Sequence, residues 1–130
     1  MNDAIEKGFY LEASWYAYAL LEDRLISMLR QSGGVCKSGS NKSITMLGPK
    51  LGELMSRAGT DKLLSENLPA TQINDWKNER NDLMHAMAEG TMTQAEIDKK
   101  AYLLALQGRE LVKEVSTAAM RLKKHRAKAP

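Results

Sequence analysis

The stretch TQAEIDKKAYLLALQGRELVKEVSTAAMRL, residues 93–122, decides the fold. Its first four residues, Thr93-Gln94-Ala95-Glu96, match the capping box, in which a Thr hydroxyl and a Glu carboxylate each satisfy a backbone N–H that a helix start leaves orphaned. Behind that start, Ile97, Ala101, Leu104, Gly108, Leu111, Val115, Ala118 and Leu122 follow at alternating steps of four and three. That spacing writes a coiled-coil-like seam down one side of a long helix. Gly108 costs helix propensity unless another helix comes close at that point, so the seam predicts a tight crossing there.

Working back from this helix, Ala70 to Glu89 reads as another, with Gly90 suited to its C-terminal cap. Its apolar row is Ile73, Trp76, Leu83, Met84 and Met87, and Arg80 stands in the middle of it. A first helix is expected over Asp3–Gln31, where Leu11, Trp15, Tyr18, Leu25 and Leu29 recur at helical spacing, with Leu21 and Met28 alongside. Glu22 interrupts that stripe. Ser32-Gly33-Gly34 ends it, and a Gly-, Ser-, Asn- and Lys-rich connection of flexible composition follows to Lys42. Gly48-Pro49 opens a shorter helix, because the missing N–H of Pro does no harm in a first turn. Leu51, Leu54, Met55 and Ala58 give it one apolar face before Gly59, and Thr60–Leu68 reads as a turn or short helix. The expected fold is all-α: an antiparallel four-helix bundle with one or two short extra helices, one domain over residues 1–130.

Composition agrees. Hydrophobic residues make up 43% and charged residues 27% of the 130, an ordinary globular balance. A single cysteine, Cys36, cannot close an internal disulfide, and no apolar run is long enough to span a membrane or to serve as a leader, so a cytoplasmic location is expected. The net charge of +3 hides an asymmetry. Five of the nineteen basic residues (Arg121, Lys123, Lys124, Arg126, Lys128) follow the last acid, Glu114, so the remaining fourteen face sixteen acids. Residues 121–130 therefore read as a basic tail. Arg121, Lys123, Lys124 and Arg126 are its candidate nucleic-acid contacts, although cations also suit a helix C-terminus for electrostatic reasons alone.

Several chemistries are excluded. In Gly34–Ser43 the positions after Gly39 are Ser40-Asn41 where a phosphate loop needs Lys and then Ser or Thr, and no strand pattern precedes the stretch. His85, His125 and Cys36 lie too far apart in sequence for a metal-ligand motif, and neither a serine elbow nor a dinucleotide fingerprint occurs, so no metal and no cofactor are expected. What remains is Arg80-Asn81-Asp82-Leu83-Met84-His85. On an ideal helix Arg80 and His85 lie about 140° apart, whereas Asn81 and His85 share a face with Asn78 close to the same line. An Arg in an apolar row commonly snorkels or forms an ion pair, and Glu22 is the evident partner. From the residues alone two bland readings stay open: a non-catalytic bundle that binds a protein or nucleotide, and a nucleic-acid binder working through the basic tail.

An Arg followed by Asn and, after three more residues, by His, on the third main helix of a short bundle, resembles the HEPN domain family. In that family the R-x4–6-H motif marks ribonucleases found among bacterial toxins and antiviral proteins. The matching residues are Arg80, Asn81 and His85. The helical layout resembles the family over most of the chain, but only this six-residue segment is specific. A subgroup of HEPN toxins carries Tyr two residues after the His; here that position is Met87, so regulation through that Tyr is not expected. The resemblance implies a metal-independent endoribonuclease acting on RNA as a homodimer, with room for a cognate antitoxin protein as a partner. The residue types suit the reaction. Attack by a 2′-hydroxyl on the adjacent phosphate needs a base, an acid and a cation on the phosphorane. Histidine titrates in the right range for the first two, and an Arg fork fits phosphate oxygens. One His does not readily serve as both acid and base in one turnover, so two copies of His85 across a dimer are expected to share the work. In this scheme Asn81 orients the His or holds a phosphate oxygen, Asn78 supports the polar face, and Glu22 fixes Arg80.

Overall fold

The computed structural model describes residues 1–37 and 39–128, with Lys128 placed only as part of its helix. Among these residues there are six helices and no strand: α1 Asn2–Glu6, α2 Tyr10–Gln31, α3 Leu47–Ala58, α4 Lys62–Asn67, α5 Ala70–Glu89 and α6 Gln94–Lys128. The all-α helical bundle expected from the sequence is what the chain forms. A continuous helix over Asp3–Gln31 is not. Gly8 takes φ +80, a left-handed conformation that ordinary residues avoid, and the chain turns there between α1 and α2. The other three starts and stops agree with the sequence within a residue or two. Thr93 and Glu96 form the capping box, with Thr93 N–H donating to Glu96 Oε1 at 3.2 Å and Glu96 N–H to Thr93 Oγ1 at 3.2 Å. Gly90 closes α5 in the left-handed conformation, where Thr91 N–H reaches back to the Ala86 carbonyl at 3.1 Å.

The helix directions differ from a strictly antiparallel order. Three contacts run in step along α2 and α6: the Tyr10 and Tyr102 rings 5.0 Å apart, Ala17 beneath Gly108, and Arg24 Nε donating to Ser116 Oγ at 2.9 Å. Both numbers rise together, so these two helices are parallel. The same holds for α2 and α3, through Tyr18 with Leu47, Glu22 with Lys50, and Leu29 with Arg57. α5 runs against α6, sharing one groove between Ala86 and Glu96 and another between Gln72 and Glu114. The cause is the connection after α2. The described residues 32–37 and 39–46 carry the chain back along α2, with Cys36 and Ser43 bridged antiparallel, so α3 starts again beside the middle of α2. The Arg57 guanidinium fixes this return by donating to the Leu29 carbonyl at 3.0 Å, Ser32 Oγ at 3.2 Å and the Cys36 carbonyl at 3.0 Å.

The seam of α6 is buried from Ala101 to Leu122, and only Ile97 at its head is half-exposed. The close approach expected at Gly108 is present. A Cβ there would stand 2.9 Å from Ala17 Cβ and 2.9 Å from Trp76 Cζ2. Trp76 turns its indole N–H to the Leu104 carbonyl at 3.0 Å, so it packs on α6 with its polar edge satisfied. On α2 the row read from sequence holds at Leu21, Leu25, Met28 and Leu29, all buried, and is displaced before them. Ala13, Ser14 and Ala17 face the bundle in its first half, and Trp15 is 51% exposed. Small residues are needed on that side because α6 crosses so near.

Candidate functional site

The residues of the Arg80–His85 segment are held by α5, whose core row is Ile73, Trp76 and Leu83. Arg80 belongs to that row and is half-buried at the boundary with α2, whereas Asn78, Asn81 and His85 are exposed on the opposite side of the helix. The helical offset expected from the sequence therefore persists in the fold. Asn78, Asn81 and His85 share one exposed face, and within one chain Arg80 does not join it.

Arg80 does not pair with Glu22. Its guanidinium carbon lies 4.3 Å from the centroid of the Tyr18 ring, a cation–π contact, and no carboxylate comes within ion-pair distance of it among the described residues. Its Nε is buried and has no acceptor. Glu22 is taken by Lys50, whose Nζ lies 2.9 Å from Glu22 Oε2, with 7% and 29% of the two side chains exposed. The expectation that Glu22 fixes Arg80 is thus corrected. The parallel return of α3 brings Lys50 beside Glu22 first, and an ammonium that deeply buried must be paired. Sequence reasoning missed both Lys50 and Tyr18. Lys50 follows Pro49 in the first turn of a short helix, where nothing local marks it as buried. Tyr18 was read as part of the core row.

His85 lines none of the three grooves found along the described residues. A groove of about 660 Å³ runs between α5 and α6 past Asp82, Leu83, Ala86 and Lys100, and one of about 480 Å³ past Asp75, Trp76 and Glu110. Both lie on the α6 flank of α5, and neither is lined by Arg80, Asn81 or His85. A third, of about 390 Å³, lies by Lys37 and Pro49. Among the described residues no group of three or more His, Cys, Asp or Glu side chains gathers in an arrangement that could hold a metal ion.

The basic stretch is not a loose tail. Residues 121–128 continue α6, while 129–130 lie outside the described residues. Arg121, Lys123 and Lys124 are exposed, but Arg126 is committed to an ion pair with Asp61. The same Asp61 caps α4 by accepting the Leu64 N–H at 3.1 Å. Arg126 is therefore removed from the set of open cations and becomes a fastening between α6 and α4. One carboxylate has a displaced pKa: Glu96 is held below the usual carboxylate range, chiefly by the Thr93 backbone N–H and then by the Thr93 hydroxyl. Among the described residues no helix is long and apolar enough to cross a membrane. No protein-family profile, curated protein or solved structure matches the chain.

Proposed function

We propose that this chain is a metal-independent endoribonuclease of the HEPN type, toxin- or defence-like and cytoplasmic, whose site is completed by a second copy of itself. The observation that carries the reading is the state of Arg80: a half-buried arginine without a carboxylate partner among the described residues, next in sequence to Asn81 but turned away from the exposed Asn81–His85 face of its own chain. A cation left unneutralised at a surface boundary is ready for an anion, and the phosphate of RNA is the anion this chemistry requires. His85 lines none of the three grooves of the single chain, and this reading takes the cleft from two copies with their α5 faces opposed. One His85 takes the 2′-hydroxyl proton as the 2′-oxygen–phosphorus bond forms. The partner's His85 protonates the departing 5′-oxygen as the phosphorus–oxygen bond breaks, which leaves a 2′,3′-cyclic phosphate and a 5′-hydroxyl. Arg80 stabilises the phosphorane, Asn81 orients the His or a phosphate oxygen, and Asn78 extends the polar face. Arg121, Lys123 and Lys124 are the cations open to the RNA backbone, and a cognate antitoxin is a further partner under this reading.

The test is incubation of the purified chain with single-stranded RNA in excess chelator, beside Arg80→Ala and His85→Ala. Cleavage to cyclic-phosphate ends that both substitutions abolish is the expected result. Absence of cleavage, or cleavage unchanged in both variants, refutes the proposal. A second reading draws on the absence of His85 from the lining of the three grooves: a non-catalytic helical bundle that binds a protein or nucleotide as a single chain. It predicts a monomer in sedimentation that leaves RNA intact.

A further inference from the structure

We infer that Tyr18 is the positioning residue of the proposed ribonuclease site, holding the Arg80 guanidinium for phosphate in the place where a carboxylate was expected. The inference rests on the ribonuclease reading for its purpose and on three contacts for its substance. The Tyr18 ring lies under the guanidinium with 4.3 Å between the Arg80 carbon and the ring centroid. The phenol oxygen of the same side chain accepts the backbone N–H of Leu47, the first residue of α3, at 3.4 Å. The nearest acid on that side of α2, Glu22 one turn further on, is closed on Lys50 at 2.9 Å.

The choice of an aromatic ring over a carboxylate has a chemical consequence. A carboxylate would orient Arg80 through its N–H groups and would neutralise its charge. A ring orients the guanidinium through its face, leaves the charge intact and leaves the terminal N–H groups free for phosphate oxygens. Burial of Nε without an acceptor restricts the side chain further, since the stem cannot swing without exposing apolar surface. Tyr18 also sits on a junction that is already constrained. Met46, just before Leu47, has φ 70 and ψ 153, a conformation that a residue with a side chain rarely adopts and that persists only where its surroundings enforce it. The phenol thus links the presentation of Arg80 to the point at which α3 begins.

Two variants separate the ring from the hydroxyl. Tyr18→Phe keeps the ring and loses the acceptor for Leu47. Tyr18→Leu loses both and keeps an apolar side chain in place. With RNA cleaved in excess chelator, Tyr18→Leu is expected to lower kcat about 10- to 30-fold with KM changed less than about threefold, the size of one cation–π contact made at a partly desolvated site. Tyr18→Phe is expected to stay within about threefold of wild type in both constants. A purely structural role would instead lower the amount of folded enzyme in both variants and leave the kcat of the folded fraction alone. Independently of turnover, the Arg80 Hε resonance is expected to be shifted upfield by the ring in wild type and in Tyr18→Phe, and to return to an ordinary position in Tyr18→Leu. An unshifted Arg80 Hε in wild type, or equal kcat in wild type and Tyr18→Leu, overturns the assignment. Wild type that shows the ring shift and cleaves no RNA removes the ribonuclease reading, and with it the purpose given to Tyr18, while the contact itself stands.

Discussion

Replacing Gly108 with Ala sets two effects of opposite sign against each other at the tightest point of the bundle. In an exposed helix interior the exchange would stabilise by about 1 kcal/mol through helix propensity. Here the added Cβ would meet Ala17 Cβ at 2.9 Å and Trp76 at 2.9 Å and 3.2 Å. Neither neighbour can yield cheaply. Ala17 Cβ is fixed to the backbone of α2, and the Trp76 ring is buried and held by its N–H on the Leu104 carbonyl. Relief therefore needs a shift of α2 or α5, and overpacking of this kind costs about 1–3 kcal/mol. Weakening the Trp76 hydrogen bond adds up to about 1 kcal/mol. The expected net is a loss of about 2 kcal/mol, read as a midpoint about 1 M lower in urea with an unchanged slope. Adding Ala17→Gly removes one of the two collisions and should recover part of the loss. A Gly108→Ala protein as stable as wild type, or more stable, would refute the close-packing account and show that propensity decides this position.

Lys50→Met should destabilise by about 1–2 kcal/mol. It leaves the Glu22 carboxylate unpaired beside the core, and the cost is moderated because Glu22 keeps partial contact with water. A double-mutant cycle with Glu22→Gln checks this through its coupling energy. Asp61→Ala should cost about 1–2 kcal/mol because it removes the α4 cap and the Arg126 pair together, whereas Arg126→Ala removes only the latter and should cost less; urea titrations of both distinguish them. Because folding lowers the Glu96 pKa, its contribution is fully present above the pKa of the unfolded chain and is lost as pH falls through the lower, folded value. The protection of the Thr93 and Glu96 amides against exchange, relative to their intrinsic rates, should therefore fall in acid, and Glu96→Ala should show the low protection already at neutral pH.

Much of the secondary structure could be read from the chain because its signals are local. The capping box at Thr93–Glu96, the glycine at 90 and the proline at 49 each act within one turn, and each marks a boundary in the fold. The candidate site was legible to a lesser degree. Helical geometry was enough to separate Arg80 from the Asn81–His85 face, since both lie on one element. What holds Arg80 was not legible, because Tyr18 and Glu22 are one turn apart on α2 and equally plausible as neighbours from α5.

The all-helical chain, the seam of α6 and the close crossing at Gly108 are written in periodicity and single-residue sterics, which do not depend on how helices are ordered. The parallel run of α2, α3 and α6 is not written there, because direction depends on the path of the connection between α2 and α3 and not on any helix alone. That path brings Lys50 onto Glu22 and leaves Arg80 to Tyr18, and it draws Arg126 away from the open cations onto Asp61. Charge pairing follows proximity in three dimensions, and proximity between distant segments is the one quantity a periodic pattern does not contain.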